Sequence, residues 1–121
     1  MLPKKNRLRK SKDFDRVFKK SRPVFLNHLS IRSRNNGTDK SRIGFIVSNK
    51  INKLASRRNA VKRQLRACSK VLISQVKPGY DIIVVLKSDF SYPYQQSEIY
   101  DFLNKALNRA HVLKNDKKII N

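Results

Sequence analysis

Apolar positions along the chain alternate between a helical and an extended rhythm. Phe14, Val17 and Phe18 fall at i, i+3 and i+4 and share one face of a short helix. Ser11 stands where its hydroxyl can cap that helix, and Arg22-Pro23 ends it. From Val24 to Arg34 the pattern alternates as in a strand, with room for a break near Leu26-Asn27. Leu29 and Ile31 point one way, Ser30 and Arg32 the other. Asn35-Asn36-Gly37-Thr38-Asp39 is a turn signal, so a hairpin is expected, with Arg42–Asn49 as the return strand. In that strand Ile43, Phe45 and Val47 share one face, and Gly44, Ile46 and Ser48 share the other.

After a loop over Lys50–Leu54, a helical rhythm runs from about Ala55 to Val76, where Pro78-Gly79 stops it. Asp81–Lys87 contains IIVVL, an uninterrupted apolar run suited to a central strand covered on both sides. Gln95–Leu113 returns to helix, with Ile99, Phe102, Leu103, Ala106, Leu107 and Ala110 forming a broad apolar face. The predicted order is αβββαβα, an α+β sandwich of one sheet with helices packed on it. At 121 residues the chain suits a single domain. The decapeptide MLPKKNRLRK and the tail Lys114–Asn121 read as loosely held ends.

Charge changes this picture. Twenty-nine Lys and Arg against eight Asp and Glu leave a net +21, an excess most readily explained by a polyanionic partner. The apolar fraction of 39% is too high for a disordered chain. No stretch approaches the ~20 apolar residues that cross a bilayer. The basic N-terminus lacks the apolar core of a signal peptide. The one cysteine, Cys68, excludes an internal disulfide and a Cys-based zinc site. A cytoplasmic protein is expected, with no membrane partner.

Five basic residues and no acid fall on the second helix in SRRNAVKRQLR (Ser56–Arg66). At about 100° per residue, Val61, Leu65, Cys68 and Leu72 form a narrow stripe toward the sheet. Asn59, Lys62, Arg63, Arg66 and Lys70 fall on a separate arc; Arg58 borders the stripe and Arg57 lies on its far side. Between Lys40 and Asp81 there is no acidic residue, and Arg58, Lys62 and Arg66 form a like-charge ladder. Solvated helix faces usually mix signs, because like charges at i, i+4 repel. Phosphate neutralises such a ladder, and guanidinium groups bind phosphate through paired hydrogen bonds. With no second helix at helix-turn-helix spacing, no zinc ligands and no heptad zipper, structured RNA fits better than sequence-specific DNA binding.

Four segments together resemble the protein subunit family of bacterial ribonuclease P. They are LPKKNRLRKSKDFDRVFK (Leu2–Lys19), RIGFIVSNK (Arg42–Lys50), RNAVKRQLR (Arg58–Arg66) and YDIIVVLK (Tyr80–Lys87). The family's Arg-Asn-Arg core is matched at Arg58 and Asn59, departed from at Ala60, and matched again at Val61, Lys62 and Arg63. The resemblance implies a two-layer αβββαβα sandwich with one mixed four-stranded sheet and a left-handed β-α-β crossover. It implies a protein cofactor of an RNA-based endoribonuclease that removes the 5′ leader from precursor tRNA, with Mg2+ on the RNA subunit and no metal held tightly by the protein. The catalytic RNA would meet Lys50, Lys53, Arg57, Arg58, Asn59, Lys62, Arg63, Arg66 and Lys70. The leader would lie in a cleft between the first helix and the sheet, among Phe14, Phe18, Ser30, Arg32, Ile46 and Ser48. Read without the family, Phe14 and Phe18 are more readily an ordinary core pair, which is what Phe at i, i+4 on a helix usually means.

Nothing in the sequence supports protein-based catalysis. His28 and His111 lie far apart with no carboxylate at useful spacing. Asp81 and Asp89 flank a strand, where isolated acids are usually solvated. Cys68 reads as a small hydrophobe, and Tyr92 and Tyr94 beside Pro93 suit either RNA contact or local packing. A ribosomal or ribosome-assembly RNA-binding protein shares the size, charge and fold class, and a DNA-compacting protein shares the charge.

Overall fold

The computed structural model describes residues 3–26, 29–47, 54–86 and 95–114. A 3-10 turn at Lys4–Asn6 precedes α1 (Ser11–Lys20). There follow β1 (Val24–Leu26), β2 (Leu29–Asn35), β3 (Arg42–Val47), α2 (Ala55–Leu72), β4 (Tyr80–Leu86) and α3 (Gln96–Arg109), which is the expected αβββαβα order. The second helix is shorter than expected, because Ile73–Gln75 tightens into a 3-10 turn ahead of Pro78-Gly79.

The sheet has the order β1-β2-β4-β3. β4 pairs antiparallel with β2 and parallel with β3. The hairpin expected between β2 and β3 is therefore not made, since β4 lies between them. The reason lies in β4 itself, whose YDIIVVL is apolar on both faces and gains most from a central place. The turn near Asn36 passes over the start of β4, where Asn36 N–H donates to the Gly79 carbonyl at 2.7 Å. Gly79 is needed there: its φ is +87°, and a Cβ would come within 2.6 Å of the Thr38 carbonyl oxygen. The true hairpin joins β1 to β2, with Leu26 opposite Leu29. Asn27 and His28 lie outside the described residues.

The main core lies between one face of the sheet and α2 with α3. Leu29, Ile31, Ile43, Ile82, Val84 and Leu86 meet Val61, Leu65, Leu72, Ile99, Leu103 and Leu107 there. Burying a side chain of this size stabilises the fold by roughly 1.5–3 kcal/mol. A smaller core on the opposite face joins Val17 of α1 and Leu8 to Ile83. The helix α1 starts at Ser11 itself, with Lys10 in the N-cap position and no side-chain cap, so the expected Ser11 cap is absent.

Within the N-terminal segment expected to be loose, Arg7 and Leu8 are docked on the sheet. Leu8 is 3% exposed and donates its N–H to the Ile43 carbonyl at 3.0 Å, extending the sheet at the edge of β3. Behind α3, Val112 and Leu113 are buried and Lys114 N–H donates to the Gln75 carbonyl. Residues 115–121 of the tail lie outside the described residues.

Candidate RNA interface

The run Ala55–Leu72 contains neither Pro nor Gly and is rich in Arg, Lys, Leu, Gln and Ala, all strong helix formers. The Leu54 carbonyl accepts the N–H groups of Arg57 and Arg58 to open it. Packing on the sheet buries Val61, Leu65, Cys68 and Leu72, the predicted stripe. Asn59, Arg63, Arg66 and Lys70 are exposed on the far side, while Lys62, Arg57 and Arg58 are half-buried. Ala60 is also half-buried and packs against the main core. Lys50, Lys53 and Ser48 lie outside the described residues, as do Asp89, Tyr92 and Tyr94.

Two cations that sequence reasoning missed join this helix. Leu8 is pinned inward, so its extended neighbours Arg7 and Arg9 project the other way. With Lys62 and Arg66 they line a cavity of about 250 Å3 floored by Ile43 and Phe45. The alternation Arg7-Leu8-Arg9 was visible as a strand-like signal, but its partner at the β3 edge is far away in sequence.

On the α1 side, ladder pairing sets three rows across β2, β4 and β3: Ser30–Val85–Ile46, Arg32–Ile83–Gly44 and Arg34–Asp81–Arg42. Ser30, Arg32, Gly44 and Ile46 thus share a face as the strand phasing predicts. That face is partly covered by α1. Gly44 is buried, and a Cβ on it would stand 2.5 Å from Phe14 Cζ. Phe14 is a half-buried spacer between helix and sheet, whereas Phe18, one turn on, is 38% exposed. The Arg32 guanidinium lies 4.9 Å from the Phe18 ring centroid, a cation–π stack. Its Nη1 also donates to the Ser21 carbonyl at 2.9 Å, serving the open end of α1. Ser30 is only 6% exposed.

An ion-pair chain seats the helix. Arg42 Nε and Nη2 donate to both oxygens of Asp81 at 2.9 and 2.7 Å, and Nη1 reaches Asp13 Oδ2 of α1 at 3.3 Å. Asn36 Nδ2 adds a hydrogen bond to Asp81 Oδ1. Asp81, expected to be solvated, is 1% exposed, because a carboxylate can be buried when a fork of donors satisfies it. The hydrogen bond to Asp81 raises the Arg42 pKa, against the opposing effect of burial. Burial likewise raises the pKa of the Cys68 thiol. His111 is exposed in a turn after α3, at a positive φ of 59°. Among the described residues no three His, Cys, Asp or Glu side chains converge as metal ligands. No helix among them is long and apolar enough to cross a membrane.

Against known proteins, residues 2–111 match the family described as Ribonuclease P. The Ribonuclease P protein component of a Pseudanabaena species is 42% identical over 114 residues, spanning 93% of this chain and 97% of that one. The Staphylococcus aureus RNase P protein superposes with a TM-score of 0.79 at 31% identity, covering 90% of this chain and 98% of that one. The Thermotoga maritima RNase P protein gives a TM-score of 0.73 at 28% identity, covering 85% and 96%. With the fold and nearly the whole length shared, the chain belongs to the ribonuclease P protein family.

Proposed function

We propose that the chain is the protein subunit of a cytoplasmic ribonuclease P, which removes the 5′ leader from precursor tRNA, with the chemistry on a catalytic RNA. The observation that carries this reading is the division of the surface into two unlike parts. One is the acid-free basic arc of Asn59, Lys62, Arg63, Arg66 and Lys70 on α2, extended by Arg57, Arg58 and by Arg7 and Arg9. The other is the α1 side of the sheet, where an exposed aromatic, Phe18, stacks on Arg32 beside the half-exposed Val85 and Ile46.

The arc suits the backbone of a folded RNA, since its dense cations neutralise phosphates and release counterions. Lys50 and Lys53 are assigned to the same partner on the family resemblance. The α1 face suits a single strand, with Phe18 for base stacking and Arg32 for phosphate or cation–π contact. Phe14 sets the width of that cleft by its contact with Gly44. Ser30 and Ile46 belong to its floor, and Ser48, outside the described residues, is assigned to it on the sequence alternation alone. Magnesium belongs to the RNA subunit in this reading. Among the described residues the buried acids are Asp13 and Asp81, and both are engaged with Arg42 rather than open to a metal.

Reconstitution tests the proposal. The pure protein should leave precursor tRNA intact, while protein with a ribonuclease P RNA and Mg2+ should release the leader at low salt. Trimming by the protein alone, or an RNA activity unaltered by the protein, would refute it.

A further inference from the structure

Among the described residues, two aromatic side chains are exposed on the α1 side of the sheet. Phe18 is the one stacked on Arg32. The other, Phe25 in β1, is 56% exposed. It stands directly opposite Ser30 in the β1–β2 ladder, and paired residues project to the same face. Val24 and Leu26, its neighbours in the strand, pair with Ile31 and Leu29 on the main-core side, which fixes the phase. A row Phe25–Ser30–Val85–Ile46 therefore crosses all four strands, beside the row that α1 covers.

A single exposed apolar side chain is ordinary. Three further observations distinguish this one. Its main chain is held from outside the sheet, because Arg109 Nη1 of α3 donates to the Phe25 carbonyl at 3.1 Å. Ser30, its ladder partner, has a short side chain that cannot cover the ring. Arg32 is the diagonal neighbour of Phe25, at the ~7–8 Å typical of such pairs, and Arg32 is stacked on Phe18. Two exposed aromatic side chains thus share one surface with Arg32, on a chain of net charge +21. A single strand laid across this surface would set its bases on the rings and its phosphates near the guanidinium.

The geometry points to Phe25 as a stacking site for an unpaired nucleobase of RNA, further along the same face than the position at Phe18 and Arg32. The inference rests on the reading that the α1 face holds the leader. Stacking makes the site tolerant of base identity, because every base has a π face. It lengthens the stretch of leader that the protein senses.

The test uses holoenzyme reconstituted with its catalytic RNA and precursor tRNAs whose leaders grow one nucleotide at a time. Wild type should gain affinity at the nucleotide that reaches Phe25. Phe25→Leu should lose that gain by about tenfold, and Phe25→Tyr should keep it. An abasic nucleotide at that position should weaken wild type equally and Phe25→Leu no further. If Phe25→Leu follows the wild-type dependence on leader length while Phe18→Ala does not, the Phe25 site is refuted and the cleft reading stands. That outcome would also fit a protein partner covering Phe25. If neither substitution alters the dependence, both ideas fail.

Discussion

Replacing Gly44 by Ala probes the contact that seats α1 on the sheet. The new Cβ would stand 2.5 Å from Phe14 Cζ, 3.1 Å from Phe14 Cε1 and 2.9 Å from the Leu8 carbonyl oxygen. The ring must tilt outward, and the docked N-terminal segment must give slightly. Overpacking of this kind costs about 1–3 kcal/mol. Removing a glycine also restricts the unfolded chain, which returns roughly 0.4–1 kcal/mol. The net expectation is a loss of about 1–2 kcal/mol, read as a lower urea midpoint by far-UV circular dichroism at an unchanged slope. A double-mutant cycle isolates the ring. In a Phe14→Leu background the cost of Gly44→Ala should fall by about 1 kcal/mol, without vanishing, because the Leu8 carbonyl remains. Costs that add within about 0.3 kcal/mol would refute the role given to the Phe14 ring.

Other substitutions separate the remaining interactions. Asp81→Asn removes the carboxylate that takes two donors of Arg42, leaving only the longer contact to Asp13, and should lower stability by about 2–3 kcal/mol in urea titrations. That lies below the range for a fully buried pair, because the Arg42 side chain is 31% exposed. Arg58→Ala with Arg63→Ala should give a folded monomer that assembles poorly with the catalytic RNA. Its log affinity should fall less steeply with log salt, by about 1 for each phosphate no longer neutralised. Cys68 should react with iodoacetamide at pH 8 at least about tenfold more slowly in the native protein than in urea. Burial both shields the thiol and raises its pKa, so less of the reactive thiolate is present until the pH rises further. Equal rates in both states would contradict the packing of α2.

Local patterns in the sequence carried the elements and the division of α2. Its stripe of Val61, Leu65, Cys68 and Leu72 and its opposite basic arc follow from helical periodicity alone, and both hold in the fold. What was illegible depends on partners remote in sequence. The turn at Asn36 promised a hairpin, but strand order is decided by which strand gains most from burial on two faces, and β4 displaced β3. Arg7-Leu8-Arg9 alternates like a strand, yet only the free edge of β3 makes it one. Phe14 and Phe18 are equivalent by spacing. Gly44 beneath the first and Arg32 beside the second separate a spacer from an exposed face. Asp81 looked solvated because the fork that satisfies it, Arg42, comes from a neighbouring strand.

The central claim is that this protein, and not the RNA alone, senses the leader. It is tested most directly by the affinities of the RNA subunit for precursor and mature tRNA, measured with and without the protein at one salt concentration. The protein should raise the preference for precursor by roughly tenfold, the scale of one or two stacked bases. An identical preference with and without the protein would contradict the account.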